Sequence, residues 1–134
     1  MILINVLFVD ISNACRSQMA EAFANMDGQE VIKAYSAGSR PSATINPGAV
    51  NAMHDIGYDL SVHVCKGLDE IPDLEYDLVV DLGCDDECSG VRAGRRLDWV
   101  IPDPKAMSGE ELAAARDMIR TKVLELIEAA RSCA

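Results

Sequence analysis

Three features of the sequence predict an α/β fold built on a parallel sheet. Apolar runs of strand length alternate along the chain with stretches of helical periodicity, the pattern of successive βα units. The runs are nearly continuous rather than alternating, as in strands buried on both faces. The first unit, Val6-Leu7-Phe8-Val9-Asp10-Ile11-Ser12-Asn13-Ala14-Cys15-Arg16-Ser17, passes from an apolar strand through a small polar loop straight into a helix. Right-handed crossovers then put helices on both faces of the sheet, a three-layer sandwich in one domain over residues 1–134.

In chain order, Ile2 to Val9 is the first strand. Ser17 to Met26 is the first helix, with Met19, Ala20 and Phe23 on one face and Gly28 near its stop. Val31 to Ser36 is the second strand, and Ser36-Ala37-Gly38-Ser39-Arg40-Pro41 is a loop by composition. Asn46 caps a second helix that has Pro47 at its first position, Val50, Met53 and Ile56 at helical spacing, and Gly57 at its end. Cys65 to Ile71 reads as a short helical turn before Pro72. Tyr76 to Leu82 and Leu97 to Ile101 are the third and fourth strands, separated by a loop rich in glycine and charge. Ser108 to Arg131 is a long helix opened by a Ser108/Glu111 capping box. Its apolar stripe is Leu112, Ala115, Ile119, Val123, Leu126 and Ala130. No internal repeat or linker interrupts this order.

Composition bounds the function. The chain is 49% hydrophobic and 25% charged, ordinary for a soluble globular protein. No apolar run approaches a membrane span of about 20 residues, and no signal peptide is visible at Met1. A net charge of −10 argues against a nucleic-acid partner, and at long range it also opposes an anionic substrate. The five cysteines, Cys15, Cys65, Cys84, Cys88 and Cys133, form no disulfide framework, so a reducing cytoplasm is expected. In that setting the close pair Cys84/Cys88 points to redox or metal chemistry.

Ligands of such folds sit beyond the carboxyl ends of the strands. Three loops leave the predicted sheet there, and each carries a motif. In the first, Ile11, Ser12, Asn13, Ala14, Cys15 and Arg16 aim backbone N–H groups and a helix N-terminus at one point. Arg16 adds a planar fork of donors suited to a tetrahedral oxyanion. The same spacing also fits an ordinary βα unit whose arginine is a surface charge. The second is Gly83-Cys84-Asp85-Asp86-Glu87-Cys88. Its spacing is loose for a zinc half-site, no second Cys/His pair is visible, and two free loop thiols fit it as well. The third is Asp98-Trp99-Val100-Ile101-Pro102-Asp103-Pro104, where Asp-Pro is also a common turn and Trp99 is read as core.

Together the three motifs resemble the low-molecular-weight protein tyrosine phosphatases and the thioredoxin-coupled arsenate reductases that share their loop. The likeness runs over essentially the whole chain. It implies a sheet of order 2-1-3-4. It implies an anion loop over residues 11–16, Ser17 bonded to the nucleophile's position, and Asp103 as general acid. It implies Cys84 and Cys88 as the resolving cysteines of a relay from arsenate to arsenite, re-reduced by thioredoxin or a similar thiol donor. Plain phosphatases lack the pair, so the arsenate branch is favoured. The family's nucleophilic cysteine corresponds to Asp10, so the chain as written is expected to be inactive or impaired.

Smaller carry-overs concern the loop's surroundings. Asn13 would brace it in a conformation that asparagine tolerates. Some arsenate reductases bind potassium through groups resembling Asn13, Glu21 and Ser36 plus an acid. That acid falls at Lys66, which either supplies the positive charge itself or is a surface lysine. No metal and no cofactor are expected. His54 and His63 show no partner pattern.

A carboxylate does not do a thiolate's work on arsenic. Among loop N–H groups and beside Arg16, Asp10 is expected to be ionised, with a lowered pKa. Two like charges ~4 Å apart at an effective ε of ~20 cost about 4 kcal/mol, roughly a thousandfold in oxyanion binding. Three functions follow. The first is an arsenate reductase-like protein disabled at Asp10, with a phosphatase as its nearest variant. The second is a non-catalytic relative that binds oxyanions or senses redox state through the thiol pair. The third is an aspartate phospho-acceptor, weakened because residue 12 is Ser rather than a magnesium-binding acid. A monomer with an arsenate or phosphate ligand, a thiol reductant, and neither nucleic acid nor membrane as partner is expected. Cys15, at the helix start beside Arg16, is expected to favour its thiolate, and Cys84 and Cys88 to lie in a flexible, solvated loop.

Overall fold

The computed structural model describes residues 3–132. Strand β1 (Ile4–Asp10) leads into helix α1 (Arg16–Gly28), β2 (Ile32–Gly38), α2 (Pro47–His54), β3 (Leu78–Asp81), β4 (Arg96–Asp98) and α3 (Gly109–Ser132). The four strands form one sheet of order β2-β1-β3-β4, with every neighbouring pair parallel. β1 is central, pairing Val6 with Ala34 on one side and with Leu78 on the other. All the strands therefore end at one edge, and β1, the deepest strand, delivers Asp10 to it.

Alternation along β1 divides the core. Val6 and Phe8 face α1, α2 and α3, packing with Met19, Phe23, Met53, Ile119 and Val123. Each large apolar side chain withdrawn from water here contributes about 1.5–3 kcal/mol. Leu7 and Val9 face the other way, toward Tyr76, Val79, Ala37 and Cys88. That third layer is thin, consisting of coil around residues 68–76 and a 3-10 helix at Asp86–Gly90. Trp99 is core as expected, 9% exposed with its ring centroid 5.9 Å from that of Phe8.

The helix ends follow the sequence signals. Asn46 Oδ1 accepts the Gly48 N–H at 2.8 Å, and Ser108 and Glu111 exchange two reciprocal bonds of 3.1 and 3.2 Å. The α3 stripe holds through Leu112, Ala115, Ile119 and Val123 and then passes to Ile127, leaving Leu126 and Ala130 half-buried. The expected strand start at Ile2 lies outside the described residues. β3 and β4 are shorter than expected, because only Leu78–Asp81 and Arg96–Asp98 find partners in the ladder.

Two loop readings are corrected. β2 continues through Ala37 to Gly38, which were read as loop, because Gly38 still pairs with Asp10. Cys65 to Ile71 forms no helix. Gly67 bridges Gly38 in parallel, the Lys66 carbonyl accepts the Gly38 N–H at 2.9 Å, and one turn follows at Gly67–Glu70. The backbone there is engaged by β2 and the neighbouring loop before it can close on itself.

Candidate functional site

Between the end of β1 and the start of α1, residues 11–15 wrap into a cup. The carbonyls of Ile11, Ser12 and Ala14 accept the N–H groups of Arg40, Ser42 and Asn46 at 2.8–2.9 Å. A trans peptide points its N–H opposite to its C=O. With these carbonyls turned outward, the N–H groups of Ser12, Asn13 and Cys15 turn inward. Asn13 takes the positive φ of 51° that lets the chain curl, a conformation asparagine tolerates. Gly38 lies beneath: a Cβ there would sit 2.5 Å from the Ile11 carbonyl oxygen and 2.8 Å from the Asn13 nitrogen. Only glycine fits so close an approach.

Asp10 closes the cup from inside. Its Oδ1 accepts the Asn13 N–H at 2.7 Å and its Oδ2 the Ser17 N–H at 2.9 Å. The residue is 2% exposed. The expectation of a lowered pKa is corrected. Burial pushes the Asp10 carboxyl above the ordinary aspartate value, outweighing the bonds from Ser17 and Asn13 and the charge of Arg16. Cys15 is corrected likewise. Burial and the adjacent Asp10 push its thiol up to about 12 against the pull of Arg16, so the helix start does not yield a thiolate.

A cleft of about 500 Å³ opens above the cup, lined by Asp10, Ile11, Ser12, Ala14, Cys15 and Arg16 from the loop and by Asp103 and Pro104 from the loop after β4. Two of the three motif loops thus meet on one cleft. Arg16 donates from Nη1 to the Ile101 carbonyl at 3.1 Å, which ties it to the strand exit leading to Asp103. Its guanidinium lies over Gly83, whose φ is +122°.

The third loop stands beside the cleft, joined to it through Gly83. Cys84 and Cys88 form a disulfide with their Cα atoms 6.2 Å apart. The segment is pinned by hydrogen bonds and partly buried rather than fully solvated. Asp81 Oδ1 accepts the N–H groups of Gly83 and Cys84 at 2.8 and 2.6 Å. The 3-10 helix buries Cys88 to 2% exposure against Leu7 and Val79.

Behind the cup lies a polar network of which sequence reasoning anticipated only the bracing Asn13. Asn13 Nδ2 donates to Ser17 Oγ at 2.8 Å. Asn13 Oδ1 accepts from Gln18 Nε2 and from the Lys66 N–H, both at 2.8 Å. Gln18 Nε2 also reaches the carbonyls of Asn13 and Val64 at 3.0 Å. Gln18 Oε1 meets His63 Nδ1 at 2.8 Å, and His63 Nε2 meets the Tyr58 hydroxyl at 2.5 Å. Burial pushes His63 below the ordinary histidine value despite Glu21, whose carboxylate is 3.6 Å away. The one sequence hint was a polar Gln18 on the otherwise apolar face of the first helix. The groups that resemble potassium donors are already engaged. Asn13 Oδ1 already takes two donors, and Lys66 Nζ lies 4.0 Å from Glu21 Oε1. Ser36 Oγ is buried without a hydrogen-bond partner among the described residues.

A parallel 2-1-3-4 sheet whose central strand ends in an amide cup, with an arginine and an aspartate over it, defines a phosphatase-type oxyanion-loop protein. The chain belongs to the low molecular weight phosphotyrosine protein phosphatase family, which matches residues 5–132. Among curated proteins it is 32% identical over 125 residues to the glutaredoxin arsenate reductase of Synechocystis sp., covering 91% of this chain and 95% of that one. An arsenate reductase solved in its phosphate-binding state superposes with a TM-score of 0.84 at 30% identity, covering 96% of this chain and 99% of that one. A thioredoxin-dependent arsenate reductase from Corynebacterium glutamicum gives 0.78 at 25% identity, covering 98% of this chain and 64% of that one. Among the described residues no helix is long and apolar enough to cross a membrane.

Proposed function

We propose that this is an arsenate reductase-like protein that keeps the oxyanion cup and the thiol relay's exit but lacks the sulfur that starts the relay. The observation that carries the reading is the Cys84–Cys88 disulfide one residue beyond Gly83, against which Arg16 packs. Tetrahedral anion binding and thiol exchange thereby share one sheet edge. The arsenate reductase relatives, one of them solved in the phosphate binding state, support the substrate class. The thioredoxin-dependent one supports a thioredoxin-like reductant.

Asp10 occupies the nucleophile's position in this reading. Its buried carboxyl uses the Asn13 and Ser17 N–H groups and, when ionised, opposes an incoming oxyanion. As written, the chain exchanges its disulfide with a thiol donor without turning over arsenate. Its working compartment is the reducing cytoplasm, and it acts as a monomer.

Asp10→Cys tests this. The introduced thiolate attacks As(V) and displaces water, with Arg16 holding the oxyanion and Asp103 delivering the proton. Cys84 then attacks the introduced sulfur, and arsenic leaves with the bonding pair as arsenite. Cys88 attacks Cys84 to form the disulfide and free the first thiolate, and the thiol donor reduces the pair. Arsenate-dependent NADPH oxidation with thioredoxin and its reductase should appear in the variant and be absent from the chain as written. A variant no more active than the parent overturns the reading. Phosphotyrosine-analogue hydrolysis, measured alongside, separates reductase from phosphatase.

A further inference from the structure

We propose that Cys84, Asp85 and Cys88 form a site for a thiophilic divalent cation of the zinc and cadmium class, present only when the disulfide is reduced. In the disulfide form, the two bonded sulfurs and a carboxylate oxygen of Asp85 lie within 4.8 Å of one another, so the turn already gathers all three donors. Cys84 Sγ is 3.9 Å from Asp85 Oδ1. Zinc–sulfur bonds of about 2.3 Å put two sulfurs on a tetrahedral ion roughly 3.8 Å apart. The 6.2 Å Cα separation leaves room for that once the S–S bond is broken.

The backbone already arranges the ligands. The Asp85 carbonyl accepts the Cys88 N–H at 3.2 Å, closing the turn that carries all three, and Asp81 holds the Cys84 N–H. Asp85 Oδ1 accepts the Glu87 N–H at 3.2 Å and faces Cys84 Sγ, and the Asp85 carboxylate also engages the Ser39 side chain, bonds that an incoming cation would have to share or displace. Two guanidinium groups oppose a cation: Arg40, 3.1 Å from Asp85 Oδ2 with its side chain 70% exposed and able to swing into water, and Arg96, whose Nη1 donates to the Cys88 carbonyl at 3.4 Å. Asp86 and Glu87 flank the turn, and the net charge of −10 draws cations to it. Cys88 is buried on the sheet side, so one face of the ion is shielded and a water completes four ligands.

The chemistry balances in two steps. An external dithiol such as dithiothreitol transfers two electrons and two protons to the disulfide, giving two cysteine thiols and its own disulfide. The cation then displaces both thiol protons to solvent as it forms two metal–thiolate bonds. Ion and disulfide exclude each other, so bound cation holds the pair reduced and blocks the exchange proposed above. The inference rests on that reading only in requiring a reducible pair.

The test uses the full chain, reduced and freed of reductant without oxygen, with cadmium as probe. Thiol titration against the oxidised chain should show two additional thiols. The reduced chain should bind one cadmium with sulfur-to-metal charge-transfer absorption, zinc should displace it, and the oxidised chain should show no such band. Cys84→Ser and Cys88→Ser should each weaken binding a hundredfold or more, and Asp85→Ala about tenfold. Cys65→Ser and Cys133→Ser should leave it unchanged. A chain whose two additional thiols titrate but which gives no band overturns the site, as does a band that survives Cys84→Ser and Cys88→Ser. A pair that resists reduction overturns this site and the exchange reading together. Cadmium binding with an inactive Asp10→Cys variant overturns the reductase reading alone.

Discussion

Gly83 and Arg16 share one space: a Cβ on Gly83 would lie 2.6 Å from Arg16 Nη1 and 2.9 Å from its Cζ. The guanidinium is held between that bare backbone and the Ile101 carbonyl. Gly83→Ala should therefore push Arg16 off the cleft, in addition to straining a backbone with φ of +122°. One lost charge-assisted bond is worth about 1.5–3 kcal/mol, roughly ten- to a hundredfold in affinity. Sulfate binding in an Asp10→Asn background should fall by that factor when Gly83→Ala is added. Calorimetry showing equal affinities would remove the role assigned to Gly83.

Asp10 should make stability depend on pH in an unusual direction for a carboxylate. Its folded pKa lies above its unfolded value, so between the two the native state holds the extra proton. By linkage its contribution is fully present below the unfolded pKa, is lost as pH rises through the folded pKa, and is flat above it. Urea unfolding of the parent and of Asp10→Asn from acid to neutral pH isolates this term. The parent should lose ground to the variant as pH rises; a constant difference, or one of opposite slope, contradicts it.

Cys15 should be inert despite its place at the helix start. A thiol pKa of about 12 leaves about one molecule in ten thousand as thiolate at pH 8. An ordinary exposed cysteine at that pH is about a quarter ionised. Alkylation of the native chain by iodoacetamide should then be roughly a thousandfold slower at Cys15, with peptide mass mapping as the readout. Rapid labelling of Cys15 before unfolding would show that the cup is more open than its geometry implies.

Gln18→Leu should loosen the cup from behind. The substitution keeps approximate volume but takes the Gln18 donor from the Asn13 carbonyl, leaves the Val64 carbonyl with Lys66 Nζ alone, and leaves His63 Nδ1 with only the more distant Glu21 carboxylate. Buried polar groups left unpaired cost about 1–3 kcal/mol each. A loss of at least that size in chemical denaturation is expected, with a weaker sulfate response in the Asp10→Asn background. Unchanged stability would mean that water replaces the amide at no cost.

The βα order, the cup, the helix caps and the cysteine pair were legible because each is written in neighbouring residues. Apolar period, Asn46-Pro47, and Asn13 ahead of Arg16 act over a few positions, where sequence spacing is spatial spacing. Gln18 and His63 were not legible as partners, since 45 positions separate them and only the 60–66 segment folding behind α1 brings them together. Cys65 to Ile71 failed for the same reason: its local helical preference lost to backbone bonds with Gly38 and Asn13.

The charge states were decided last and by tertiary structure alone. From sequence, Asp10 and Cys15 sit among N–H dipoles beside Arg16, which favours anions. In the fold, β1 is the central strand and the cup closes over its end, so both residues leave water. The cost of burying a charge then exceeds what the dipoles return. Which residue stands at position 10 was determined by the sequence. How little of that residue's charge the cup tolerates was determined by the depth at which the sheet buries it.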